Sequence, residues 1–109
     1  MLTREQLLNI DDRKSEIFFV DEWNDEIKVR AISANQRRMI LKESSVNGEF
    51  DMVKFQTMVV FYGTIEPKLE KADFDLLAEK NAFVIEKIAT KIANLSGIEE
   101  DSVEEIRKN

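Results

Sequence analysis

Cysteine and histidine are both absent from this chain of 109 residues. Without them the chain can form no disulfide, use no thiol nucleophile and carry out no imidazole acid–base catalysis, and it lacks the common zinc ligand sets. Glycine is also scarce, and the isolated Gly48, Gly63 and Gly97 do not make a phosphate-binding loop. We therefore predict a protein that is not an enzyme and that uses no cofactor and no metal.

Long apolar runs and flexible linkers are missing as well. The chain has one proline and three glycines, so no linker divides it, and we predict a single domain over residues 1–109. The longest apolar run, Met58–Tyr62, has five residues, whereas a membrane span needs about 20. The N-terminus has no signal-peptide pattern. We expect a cytoplasmic protein without a membrane partner.

Negative charge is in excess. There are 22 Asp and Glu against 16 Lys and Arg, which gives a formal net charge of −6. Such a surface repels phosphate, so we expect no nucleic-acid partner. The carboxylates show no catalytic pattern: Asp73 is interpreted as a helix cap and Glu66 as a solvated loop charge.

A β-hairpin is predicted near residues 16–32. Glu16–Trp23 is rich in β-branched and aromatic residues, and Glu26–Ile32 alternates apolar and polar side chains. An Asn-Asp pair between them favours a turn. Because Phe18 and Phe19 make the first strand apolar on both faces, we expect one face to meet helices and the other to be free for a partner.

Helices are predicted for most of the remaining chain. Capping-box patterns begin at Thr3 and Ser33, and Asp51 can cap a third helix that is apolar nearly all round. The fold class is therefore α+β, with an N-terminal β-hairpin followed by a small bundle of four to five helices. The predicted helical segments are 4–11, 33–44, 51–63, 73–79, 81–95, which is the longest, and a short one within 99–109.

Candidate protein-binding residues are aromatic, apolar and basic. Trp23 at the turn either packs on the core or is an exposed anchor, since Trp and Tyr are enriched in interface hot spots. The apolar side chains of the third helix are either core or interface, because a small domain has few elements to cover them. Arginines of the hairpin and second helix would set the register of a partner. The predicted protein-binding residues are Trp23, Arg30, Arg37, Arg38, Phe55, Met58, Phe61 and Tyr62.

Four short segments are ordered along residues 16–98: Glu22-Trp23, Val29–Arg37, Pro67–Leu69 and Ile92–Ile98. Their order and spacing resemble the tail assembly chaperones of long-tailed phages and prophages of Gram-positive hosts. The resemblance implies a non-enzymatic protein of the host bacterial cytoplasm that takes part in virion morphogenesis. It implies a protein partner, which is the tape measure protein or the tail tube protein. In this family the hydrophobic helical segments of the tape measure protein are covered until tail tube protein polymerises and displaces the chaperone.

A second interpretation comes from a different class of protein. The chain could be a small structural or adaptor subunit, such as a tail or head completion protein or an interaction domain that forms a homo-oligomer. The chaperone interpretation predicts an apolar face and transient association with a long, helical, aggregation-prone partner. The subunit interpretation predicts stable rings or tubes of the isolated protein.

Overall fold

The computed structural model describes residues 1–98, in which a three-stranded antiparallel sheet packs against α-helices. The α+β fold with its N-terminal hairpin is as predicted. The short helix predicted within residues 99–109 lies outside the described residues. The elements are α1 (Arg4–Asn9), β1 (Ser15–Val20), β2 (Asp25–Arg30), α2 (Ala34–Ser44), β3 (Ser45–Val46), β4 (Glu49–Phe50), α3 (Met52–Gly63), β5 (Thr64–Glu66), α4 (Phe74–Ala78) and α5 (Ala82–Leu95).

The hairpin of β1 and β2 pairs without interruption, from Ser15 opposite Arg30 to Val20 opposite Asp25. The first strand ends at Val20, three residues earlier than the sequence predicts, because Asp21–Trp23 forms a 3₁₀ turn. Asn24 closes this turn with φ of 51°, a left-handed conformation that asparagine tolerates better than most residues. Trp23 therefore lies in the connection and not in a strand.

Two segments for which the sequence predicts no strand form β-structure. Glu66, interpreted from the sequence as a loop residue, ends β5, which pairs with β2, so that the sheet order is β1-β2-β5. A separate two-stranded hairpin, β3-β4, forms around Asn47 and Gly48. These two residues have φ of 53° and 81°, which is the conformation that a tight hairpin turn requires.

The core lies between the inner face of the sheet and α3 and α5. Val20 and Val29 from the sheet are fully buried, and α5 contributes a stripe at helical spacing. The α3 helix packs against α2, α4 and α5, which explains why it is apolar nearly all round. Its buried apolar side chains, together with those of α5, are Phe55, Met58, Val59, Val60, Val84, Ile85, Ile88, Ala89 and Ile92.

Candidate protein-binding surface

The β1 strand has one covered face and one open face. Phe18 packs against the core and Val20 is fully buried, whereas Ile17 and Phe19 point to the opposite side of the sheet. Ile17 is 63% exposed and Phe19 is 51% exposed. We call the side of the β1-β2 hairpin that carries Ile17, Phe19, Glu26, Lys28 and Arg30 the outer face.

Charged side chains of β2 border the two apolar side chains of the outer face. Lys28 lies directly opposite Ile17, and Glu26 lies directly opposite Phe19. Cross-strand neighbours on one face are close enough for their side chains to interact. The outer face is thus an apolar strip with one cation and one anion along its side.

Arg30, at the end of β2, forms an ion pair within the chain. Its Nη2 donates to Oδ1 of Asp11 at 2.6 Å. This bond, together with the Arg13 backbone N–H donating to the same carboxylate, lowers the pKa of Asp11. The predicted contribution of Arg30 to partner binding would therefore require exchange of an existing ion pair.

Trp23 lies at the tip of the hairpin and is 38% exposed. The neighbouring Glu22 accepts a hydrogen bond from Nζ of Lys87 in α5, and this bond lowers the pKa of Glu22. The same ammonium lies 5.8 Å from the ring centroid of Phe83. The hairpin tip is thereby tied to the first half of α5, at the end of the molecule that also carries Phe83.

Of the four predicted site residues in the third helix, two are buried and two are half-buried. Phe55 and Met58 are 6% and 3% exposed. Phe61 and Tyr62 are half-buried and pack against the core, with their rings 5.2 Å apart and nearly perpendicular. Core packing therefore describes Phe55 and Met58, whereas Phe61 and Tyr62 remain partly accessible.

Arg37 and Arg38 lie on the exposed side of α2. Nη2 of Arg38 donates to Oδ1 of Asn35 one turn earlier, at 2.7 Å. The predicted binding residues are therefore divided among the hairpin, α2 and the core. Trp23 and Arg30 flank β2 at its two ends, so even these two do not form one compact patch.

Other exposed apolar side chains are absent from the predicted site. Phe83 is 65% exposed because, at 3.6 residues per turn, it falls on the side of α5 opposite to Ile85 and Ile88. The periodicity of α5 could have revealed it. The N-terminal segment contributes a second group, since α1 has no buried residue. Its exposed apolar side chains are Leu2, Leu7, Leu8 and Ile10.

A further concave region lies between the β3-β4 hairpin and the start of α3. It is an open cleft whose lining includes Val46, Phe50 and Met52. Of its two carboxylates, Asp51 already accepts a hydrogen bond from the backbone N–H of Lys54 as the cap of α3. Among residues 1–98, no acidic side chains are grouped closely enough to hold a metal ion.

Comparison with known proteins adds no relative. No family model, no curated protein and no solved structure matches the chain. Within residues 1–98, none of the helices combines the length and the apolar character that a membrane crossing requires. The geometry of the exposed apolar surface is therefore the basis for a functional proposal.

Proposed function

We propose that this chain is a non-enzymatic, cytoplasmic tail assembly chaperone of a phage or prophage, which binds apolar helical segments of a tape measure protein. The observation that carries the proposal is the outer face, where Ile17 and Phe19 remain more than half exposed on a continuously paired hairpin. The order of sequence segments that resembles this family supports the same function. Trp23 at the hairpin tip is a further aromatic side chain that is partly exposed, at 38%.

The outer face has the chemistry that such a partner needs. Complete burial of a large apolar side chain contributes about 1.5–3 kcal/mol, and half or more of the surface of Ile17 and of Phe19 is available for burial. Part of this gain is lost to the entropy of association. The result is a modest affinity, as expected of a chaperone that tail tube protein must displace.

The proposal is tested by co-expression with the product of the large open reading frame adjacent to the gene, the expected position of a tape measure protein. We expect the wild-type chain to raise the soluble fraction of that product several-fold. The double variant Ile17→Ser/Phe19→Ser should lose this effect, because it removes the apolar side chains of the outer face while leaving the core intact.

A matched control is the variant Leu76→Ser, which changes an aliphatic side chain that is 67% exposed in α4. It should keep the partner soluble as well as the wild type does. The proposal is wrong if the wild-type chain leaves the solubility of the product unchanged, or if the control variant is as defective as the outer-face variant.

The second candidate, a small structural or adaptor subunit, is favoured by a different observation. The β1 strand forms an edge of the sheet, and a sheet edge is a site at which copies of a chain can join. Light scattering on the isolated protein separates the two candidates. A stable ring or tube that has no effect on the solubility of the neighbouring product would support the structural subunit.

A further inference from the structure

The outward edge of β1 carries a row of free backbone groups. In the sheet order β1-β2-β5, no strand among residues 1–98 pairs with the other side of β1. The N–H of Ala31 donates to the carbonyl of Lys14 at 2.8 Å, so this opposed pair is hydrogen-bonded. Along a strand, the N–H and C=O groups of successive residues point alternately to one neighbouring strand and to the other. It follows that the N–H and C=O groups of Ser15, Ile17 and Phe19 point away from β2, toward the open edge.

The β1 edge lacks three of the devices by which natural sheets prevent pairing with another chain. Natural edge strands are protected by proline, by lysine or by a bulge. The β1 strand contains neither proline nor lysine, and its register with β2 runs over all six residues without a bulge. Glu16 is its one charged residue.

We propose that β1 pairs antiparallel with β1 of a second copy of this chain, which joins two three-stranded sheets into one of six strands. The two-fold axis passes beside Phe18, so that Ile17 lies opposite Phe19 of the second copy. In the neighbouring register, centred on Ile17, Phe19 would face Ser15 and lose its apolar neighbour. The register centred on Phe18 thus joins Ile17 and Phe19 of both copies into one apolar strip.

Charge supports this self-association. In the joined sheet, Ile17 of one copy lies opposite Phe19 of the second copy. On its other side Ile17 has Lys28 of its own chain, and Phe19 of the second copy has Glu26 of that chain. Each apolar pair is therefore flanked by a cation and an anion. The carboxylate of Glu16, at one end of β1, is ion-paired to Lys91 of its own chain. Glu22, just past the other end of β1, is paired to Lys87 in the same way. These pairs reduce the repulsion at the edge.

Long-range repulsion acts against the dimer, because each chain has a formal net charge of −6. Salt screens this repulsion, since the Debye length shortens as ionic strength rises. The dimer should therefore become more stable as salt is added. The contact is isologous and closes at two copies. It depends on the backbone geometry of β1 and not on the proposed tape measure partner.

Light scattering on the isolated full-length protein over a concentration series tests the dimer. We expect the mass to rise toward twice the 12.7 kDa of one chain. The variant Ile17→Lys/Phe19→Lys places like charges opposite each other in the joined sheet, and its mass should stay that of one chain. Mixing it with Ile17→Glu/Phe19→Glu should restore the twofold mass, because lysine then faces glutamate.

The matched control is Val53→Lys/Leu76→Lys, since both side chains are 67% exposed and lie on helices. It adds the same charge and should dimerise like the wild type. Circular dichroism of each variant is the control for folding. A wild-type mass of one chain at every concentration and salt, or a dimer that survives the lysine pair at positions 17 and 19, would overturn the proposal. A monomer that still solubilises the tape measure product would contradict the dimer alone.

Discussion

At the scale of single residues, ion pairing within the chain decides which charged side chains of the hairpin are left for a partner. Three lysine or arginine side chains that reach the hairpin or its flank are each bound to a carboxylate. All three pairs are partly exposed, and such pairs contribute little to stability individually. The pairs fix the positions of these side chains, and those of Glu16 and Glu22 reduce the negative charge at the two ends of β1. The pairs are Arg30 with Asp11, Lys87 with Glu22 and Lys91 with Glu16.

The Arg30–Asp11 pair gives a prediction that NMR can check. Because the guanidinium donates to the carboxylate, the side-chain carbonyl signal of Asp11 should titrate with a pKa below its usual value of 3.8. The variant Arg30→Gln should return the pKa toward 3.8. The control Arg37→Gln, which changes an exposed arginine on α2, should leave it lowered. An Asp11 titration that is the same in all three proteins would show that the pair does not form.

The same pair fixes the sign of a pH effect. A carboxyl whose pKa is lower in the folded than in the unfolded chain stabilises the fold above its unfolded pKa, and this contribution is lost as the pH falls through the folded pKa. Acidification from pH 3.8 downward should therefore reduce the unfolding free energy of the wild type more than that of Arg30→Gln.

At the scale of elements, the close approach of α3 and α5 determines the packing of the core. A Cβ on Gly63, the last residue of α3, would lie 2.5 Å from Cδ1 and Cγ2 of Ile92. Ile92 is fully buried in α5 and cannot move aside without disturbing its neighbours. Glycine is thus required at this position by space, since its backbone is not in the left-handed region.

Gly63→Ala should lower the free energy of unfolding by about 1–3 kcal/mol, the usual cost of overpacking a core. Urea unfolding monitored by circular dichroism measures this. Combining it with Ile92→Ala, which removes the Cδ1, Cγ1 and Cγ2 atoms that the new Cβ would meet, should cost less than the sum of the two single changes. Additive losses would mean that the two side chains do not clash.

The fold could be predicted where the signal is local. Alternating residues in the second strand and the helical stripe of Ile85, Ile88 and Ile92 were sufficient for the hairpin and for α5. The β5 strand is three residues long, and its pairing with β2 joins distant parts of the chain, so periodicity could not reveal it. For Phe55 and Met58 the sequence left core and interface both open, because α2, α4 and α5, which cover α3, are placed by tertiary structure.

The candidate surface was predicted only in part. Apolar residues on both faces of the first strand indicated that one side would be free, and Phe19 is indeed exposed. The predicted protein-binding residues emphasised α3, where Phe55 and Met58 are buried and Phe61 and Tyr62 are half-buried. Exposure depends on which neighbours cover a side chain, and a single sequence does not contain that information.

At the scale of the whole molecule, the apolar surface and the net charge complement each other. The sheet places Ile17 and Phe19 on a face that no helix within residues 1–98 covers, whereas α3 and α5 form the core on the other side. A formal net charge of −6 keeps chains with such a face in solution. These two properties agree with the proposed function, in which the chain holds an apolar partner temporarily.

The most direct test of this account is site-specific crosslinking, for which the natural absence of cysteine is an advantage. A photoreactive label on Ile17→Cys samples the outer face, and the same label on Leu76→Cys samples an equally exposed position on α4. In cells that also produce the tape measure product, we predict a crosslink to it from position 17 that exceeds that from position 76 several-fold. Equal yields from both positions, or a crosslink from position 76 alone, would contradict the account.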